Sequence, residues 1–119
     1  MDKLNLSQHI SQRFNEELEE VRRRVLQMGG IVEEQLARAI EALIAQDRTA
    51  AEAVISNDAR INAMEVELDE ECVRIVARRQ PAATDLRLVM AVIRTINDLE
   101  RIGDEAKRVG KMVREELDG

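Results

Sequence analysis

The chain has 119 residues, enough for one domain with a modest core. Its composition is 45% hydrophobic and 35% charged, with one proline and a single aromatic residue, Phe14. That is the balance of a long-helix protein, not of a β-sandwich or an α/β enzyme. The net charge of −6 argues against duplex DNA or an anionic membrane as partner, because phosphate contacts need clustered lysine and arginine. With Phe14 as its only aromatic residue, the chain also has no platform for stacking single-stranded bases.

Cys72 is the only cysteine, so no intrachain disulfide can form, and a lone thiol suits a reducing compartment. It lies on an apolar stripe, which indicates a small buried hydrophobe rather than a reactive thiol. The first residues lack the apolar run of a secretory signal, and no stretch approaches the roughly eighteen apolar residues of a membrane span. The sequence therefore predicts a cytoplasmic, soluble protein that reaches a membrane only through partners.

Apolar residues recur at steps of three and four along a first predicted helix, at about 7–46, which Asn5 or Ser7 would cap. Gly29 and Gly30 interrupt the pattern. We interpret them as a place where a neighbouring helix approaches closely, rather than as a bend. The predicted inward stripe consists of Phe14, Leu18, Val21, Val25, Met28, Val32, Leu36, Ile40 and Leu43.

Two further helices are predicted, at about 50–79 and 81–117, with a capping box beginning at Thr49 and with Pro81 in the first turn of the third helix. No strand pattern appears. Short turns between three long amphipathic helices predict an all-α fold, an antiparallel up-down-up three-helix bundle. The inward stripes are Val54, Ile61, Met64, Leu68, Cys72 and Ile75 on the second helix, and Leu88, Val92, Ile96, Leu99, Gly103, Ala106, Val113 and Leu117 on the third.

Four apolar residues lie off these stripes and could align with one another on the second and third helices. Such a set indicates a second apolar face, which another bundle or subunit would cover. Its members are Val66, Val73, Leu86 and Ile93.

Carboxylates four residues apart occur twice, as Glu65 with Asp69 and as Glu100 with Asp104. On a helix both members of such a pair leave the same side, one turn from each other. Like charges at this spacing repel, which favours a cation beside them. Hard oxygen ligands without cysteine or a nearby histidine suit Mg²⁺, Ca²⁺, Mn²⁺ or iron and disfavour structural zinc.

The acidic pairs belong to longer oxygen-bearing stripes that include Asp58, Asn62 and Asn97. If the stripes of the second and third helices face each other, they edge a groove with carboxylates. The competing interpretation is a solvated acidic face in which Arg101 and Lys107 form plain ion pairs with the neighbouring carboxylates.

Catalytic patterns are missing from the sequence. It has no phosphate-cradling glycine loop and no Ser/His/Asp or Cys/His set, and a slim bundle offers little pocket. His9, the only histidine, is expected on the surface without a role. The sequence predicts a protein that is not an enzyme and has no catalytic residues.

Several segments resemble the PhoU family, the accessory and regulatory proteins of bacterial phosphate-specific transport. Leu-Glu-Arg-Ile-Gly-Asp at 99–104 is preceded by Gln-Pro-Ala-Ala-Thr-Asp-Leu-Arg at 80–87 and by Met-Glu-Val-Glu-Leu-Asp at 64–69. The opening Leu-Asn-Leu-Ser-Gln-His-Ile at 4–10 and Gln-Met-Gly-Gly at 27–30 are similar too. The resemblance therefore covers essentially the whole chain.

PhoU proteins consist of two three-helix bundles in tandem, and this chain resembles the amino-terminal one. The resemblance implies that residues 1–119 form a single bundle and that the second repeat is absent. In the family, E/D-x-x-x-D motifs on the bundle surface are associated with multinuclear metal clusters, commonly of iron. The matching positions, and hence the metal ligands that the resemblance implies, are Glu65, Asp69, Glu100 and Asp104.

The resemblance also implies a role. It points to a negative regulator of phosphate-starvation signalling, an adaptor between the ATPase subunit of the phosphate transporter and the sensor histidine kinase. A homo-oligomer such as a dimer is expected, with no nucleic-acid partner. The alternatives are a metal-binding bundle that serves phosphate homeostasis or metal storage, and a purely structural oligomerisation bundle.

Overall fold

The described residues form three helices, packed as a rod of 72 × 18 × 16 Å. The computed structural model describes the backbone of residues 2–119 and the side chains of residues 12–119. Helix α1 comprises Asp2–Ala45, α2 comprises Arg48–Arg79 and α3 comprises Ala83–Asp118. Each helix packs against the other two, and no strand occurs in the described part of the chain. The predicted antiparallel three-helix bundle is confirmed.

The connection between α1 and α2 takes only two residues. Gln46 adopts the left-handed conformation with φ 51°, which ends α1. The side chain of Asp47 then accepts a hydrogen bond from the Ala50 N–H at 3.2 Å and caps α2. The capping box predicted at Thr49 is therefore wrong, because α2 has already begun at Arg48.

The connection between α2 and α3 also begins with a left-handed residue, Gln80, with φ 43°. Its N–H donates to the Val76 carbonyl oxygen at 2.9 Å and closes the end of α2. Pro81 does not lie in the first turn of α3 as predicted. The extended residue Ala82 follows it, and the helix starts at Ala83.

The start of α1 also differs from the prediction. The helix begins at Asp2, not near residue 7, so Asn5 and Ser7 lie within it and are not its first capping residues. The side chains of these two residues and of His9 lie outside the described ones, and the surface position expected for His9 stays a prediction.

The Gly29–Gly30 pair does not mark close helix packing. A Cβ atom at Gly29 would meet Leu99 at an ordinary 3.9 Å, and one at Gly30 would meet nothing within 4 Å. Helix α1 runs through both without interruption. The glycines that allow close approach are Gly103 and Gly110 of α3, which face α2.

The main core fills the half of the bundle that contains the α2–α3 connection, and it confirms much of the predicted stripes. Every residue predicted inward on α2 is buried or packs against this core. The buried members are Phe14, Leu18, Val21, Val25, Met28, Val32, Ile61, Leu68, Cys72, Ile75, Val89, Val92 and Ile96.

At the other end of the bundle, α1 buries alanine side chains where large apolar ones were predicted. Leu36 is only partly buried, and Ile40 and Leu43 are exposed, although all three were predicted inward. The predicted stripe continued from Val32 by successive steps of four, each of which moves about 40° around the helix, whereas the buried residues keep the seven-residue repeat. The buried positions are one residue earlier, at Gln35, Ala39 and Ala42.

Helix α3 shows a similar shift at both ends. Leu88 and Leu117 are exposed, contrary to the prediction, while Val89 and Gly110 are buried. Ile93 packs against the main core and does not belong to a second apolar face. The other members predicted for that face are exposed: Val66, Val73 and Leu86.

Candidate functional site

The predicted acidic residues of α2 and α3 lie on the same flank of the bundle. The negative charge of Asp104 lies close enough to Glu65 to disfavour ionisation of Glu65, and the charge of Glu65 does the same to Glu100. We call this flank the acidic groove. Its carboxylates are Asp58, Glu65 and Asp69 on α2, and Glu100 and Asp104 on α3.

Glu100 is the most perturbed carboxyl group of the groove. Partial burial raises its pKa first, and a side-chain hydrogen bond with Asp104 adds to the effect. The negative charges of Asp104, Glu65 and Asp58 raise it further, so that the pKa of Glu100 reaches about 7. Near neutral pH, Glu100 is therefore protonated in a large fraction of molecules.

The remaining pair is perturbed in the same direction. Burial raises the pKa of Glu65, with a further contribution from the charges of Asp69 and Asp104. Burial also raises the pKa of Asp69. The Asp69 Oδ1 atom is buried and has no hydrogen-bond partner among the described residues. The groove therefore holds more negative charge than its own surroundings compensate.

Asp58 lies at one end of the groove and is 1% exposed. The side-chain amide of Asn62 donates to its Oδ2 at 3.1 Å, and the Lys107 Nζ atom lies 3.5 Å from the same oxygen. Its Oδ1 has no partner among the described residues. The sequence placed Asp58 on the flank, but its spacing from Val54 and Ile61 is that of the core stripe, and this was the signal for its burial.

The cations near the groove do not neutralise the two predicted pairs. Lys107 contacts Asp58, and Arg101 contacts Asp98 at 3.6 Å, so neither pairs with Glu100 or Asp104. Within residues 12–119, no lysine or arginine lies within 4.0 Å of the other four groove carboxylates. The competing interpretation of plain ion pairs therefore does not account for these four residues.

The oxygen-only donor set of the groove fits a hard divalent cation or iron. The Asp69 oxygen without a hydrogen-bond partner and the raised pKa of Glu100 also fit, since a nearby cation would contact the one and favour ionisation of the other. As the side chains stand, however, no three acidic, histidine or cysteine residues within 12–119 converge closely enough to hold an ion.

The described helices carry no stretch that is apolar enough, over a sufficient length, to cross a membrane.

Comparison with known proteins gives consistent matches. The PhoU domain model matches residues 25–113. The phosphate-specific transport system accessory protein PhoU of Serratia marcescens is 58% identical over 109 residues, which are 92% of this chain and 45% of that protein. The homologue from Pseudomonas aeruginosa is 54% identical over 111 residues, 93% of this chain and 46% of its own length.

A solved structure extends the likeness to three dimensions. The crystal structure of PhoU from Pseudomonas aeruginosa superposes with a TM-score of 0.82 at 53% identity, covering 86% of this chain and 49% of that one. The chain thus spans about half the length of the relatives it matches.

Proposed function

Because the chain belongs to the PhoU family, we propose that it is a non-catalytic negative regulator of phosphate-starvation signalling. In this proposal it acts in the cytoplasm, as a homo-oligomer, and joins the ATPase subunit of a phosphate transporter to a sensor histidine kinase. The observation that carries the proposal is an identity above one half with proteins named as accessory to phosphate-specific transport. Since the chain spans about half of those proteins, the partners of the whole protein are part of the proposal.

The surface of the bundle supports an adaptor role. Its long sides expose both acidic and apolar side chains over a rod 72 Å long. Large exposed apolar residues on a bundle are a common feature of protein-binding surfaces. They include Leu26, Ile40, Leu43, Ile44, Val66, Val73, Met90 and Met112.

The experiment is a reporter of a phosphate-starvation gene in a strain that lacks the protein. We expect the reporter to be active in high phosphate, and to be silenced again when the full protein is restored. An I61D variant, which places a charge at a fully buried position, serves as the unfolded control and should not silence it. A deletion strain whose starvation genes stay silent in high phosphate would contradict the proposal.

A capture experiment separates the adaptor from a purely structural bundle. The tagged protein is recovered from cells grown in high phosphate, and the captured proteins are identified. The proposal expects the transporter ATPase and the sensor kinase. Recovery of the protein with only copies of itself would favour the structural alternative.

The second candidate function is a metal-binding bundle, and the uncompensated charge of the acidic groove favours it. Elemental analysis of the purified protein for iron and manganese tests this function. We expect the E100A/D104A variant to lose metal. The control variant is E115A/E116A, which removes the same charge from exposed residues at the end of α3. Equal metal content in the groove variant and the unaltered protein would exclude this function.

A further inference from the structure

Asp58 is buried where α2 and α3 approach each other closely. A Cβ atom at Gly103 would lie 3.2 Å from two carbons of Ile61 and 3.7 Å from the Asp58 Oδ1 atom. The missing side chain at Gly103 therefore leaves the space in which Asp58 and Ile61 lie against α3. This carboxylate is outside both acidic pairs that the sequence singled out.

Lys107 provides the positive charge that pairs with the buried carboxylate of Asp58. It lies four residues after Gly103, one turn further along the same side of α3. Its side chain is 33% exposed while that of Asp58 is 1% exposed, so the ammonium group reaches into the helix interface from its edge. Among the described residues, Lys107 is the cation in contact with Asp58.

Only one register of α2 against α3 places both Gly103 and Lys107 next to Asp58. Sliding α3 by one turn, about 5.4 Å, would carry the Lys107 ammonium away from Asp58. A shift of four residues would also put Leu99 or Lys107 against Ile61 where Gly103 now lies. A buried carboxylate without its cation is strongly unfavourable, so the alternative registers are disfavoured by charge as well as by packing.

We propose that Asp58, paired with Lys107 and lying against Gly103, is a positioning residue that fixes the register of α2 against α3. The register decides which carboxylates of the groove lie across from each other, and it places Glu65 beside Glu100 and Asp104. Asp58 thus acts on the groove through helix position. This role of Asp58 rests on the helix geometry and does not require the signalling role.

The register is measured with two spin labels in the full chain, in a C72A background. Labels on cysteines at Val66 of α2 and Arg101 of α3, both exposed, report the distance by pulsed electron resonance. We expect one distance in the parent protein and in K107R. K107M should show a second population displaced by roughly one turn, about 5 Å. If K107M fails to fold, D58N, which leaves no buried charge, carries the same expectation.

The affinity for Mn²⁺ is the second measurement. The direction in which K107M changes it shows whether Lys107 fixes the helix register or acts only as a nearby positive charge. If Lys107 were only a nearby positive charge, K107M would bind Mn²⁺ more tightly. If it holds the register, K107M should bind about tenfold more weakly, a loss typical of removing a residue that orients metal ligands. The control V92A alters a buried residue away from the groove and should keep the parent affinity.

The two measurements decide the matter together. A single, parent-like distance in K107M and D58N, or tighter Mn²⁺ binding by K107M, overturns the proposal. If the parent protein binds no Mn²⁺, the metal-binding function fails, and the distance measurement alone decides whether Asp58 fixes the register.

Discussion

Gly110 of α3 lies so close to Ala51 of α2 that a Cβ atom on the glycine would be 3.0 Å from the alanine carbonyl oxygen. It would also lie 3.2 Å from Ile55. Gly30 in α1 provides a contrast, because a Cβ there would meet nothing within 4 Å. Both glycines are inside helices and carry the same intrinsic helix cost. Only their surroundings differ.

Alanine at these two positions should therefore change the stability in opposite directions. G110A must push the backbones of α2 and α3 apart, and we expect a loss of about 1–3 kcal/mol. G30A removes the flexibility of glycine without a clash, and we expect a gain of up to about 1 kcal/mol. Urea denaturation followed by circular dichroism measures both. Equal effects of the two substitutions would show that close packing at Gly110 is absent.

Stability should also depend on pH through Glu100. Its pKa is about 7 in the folded chain, against 4.5 as the ordinary value. The folded state binds this proton more tightly than the unfolded state, so the contribution is present at low pH and lost as the pH rises from about 4.5 through about 7. The raised pKa values of Glu65 and Asp69 act in the same direction.

The E100Q variant tests this dependence. It cannot ionise, so the fall in the free energy of unfolding between about pH 5 and pH 8 should be smaller than in the parent protein. Above about pH 7 the variant should be the more stable of the two. E115Q, at an exposed residue of α3, should keep the parent slope. A parent-like slope in E100Q would show that the groove does not perturb Glu100.

The fold could be predicted from the sequence where large apolar residues alternate with charged ones. On α2 the spacing of Val54, Ile61, Leu68 and Ile75 defines the buried face without ambiguity. On the second half of α1 the prediction followed the large apolar residues Leu36, Ile40 and Leu43 instead of the seven-residue spacing, although the residues buried there are Gln35, Ala39 and Ala42. Hydrophobicity ranks leucine above alanine, whereas close helix packing at this end requires alanine and glycine.

The acidic groove could be predicted from spacing only in part. The positions of Glu65 and Glu100 on their helices follow from the helical repeat, and their facing each other depends on the α2–α3 register. The burial of Asp58 and its pairing with Lys107 depend on contacts between residues that are far apart in the sequence. They join residues 49 positions apart and require the packed bundle, which no local pattern contains.

Glu17 of α1 links the first helix to the end of α2. It contacts Arg78 at 2.9 Å and the Arg79 Nε atom at 2.8 Å, and its side chain is only 22% exposed. Glu19 contacts Arg22 at 3.2 Å, but both side chains are largely exposed. Charge-assisted bonds with two arginines are stronger than an exposed pair within one helix.

We expect E17Q to lower the free energy of unfolding by about 1–2 kcal/mol and E19Q to change it by less than about 0.5 kcal/mol. The effect of E17Q should shrink at an ionic strength of about 1 M, where charges are screened. Denaturation at low and high salt measures the difference. An equal loss in both variants would indicate that Glu17 does not hold α1 to α2.

Cys72 should be inert in the folded protein. Burial raises the pKa of its thiol to about 11, and the charges of Asp69 and Glu71 add to the effect. The thiolate is the reactive form, and the sulfur is also inaccessible.

Labelling of Cys72 by a disulfide reagent near pH 8 should therefore occur only when the protein unfolds, and the labelling rate should rise with added urea. A C72A/V73C variant moves the thiol by one residue to a position 63% exposed and should be labelled at once. Rapid labelling of Cys72 without urea, at the rate of that control, would place the residue outside the core.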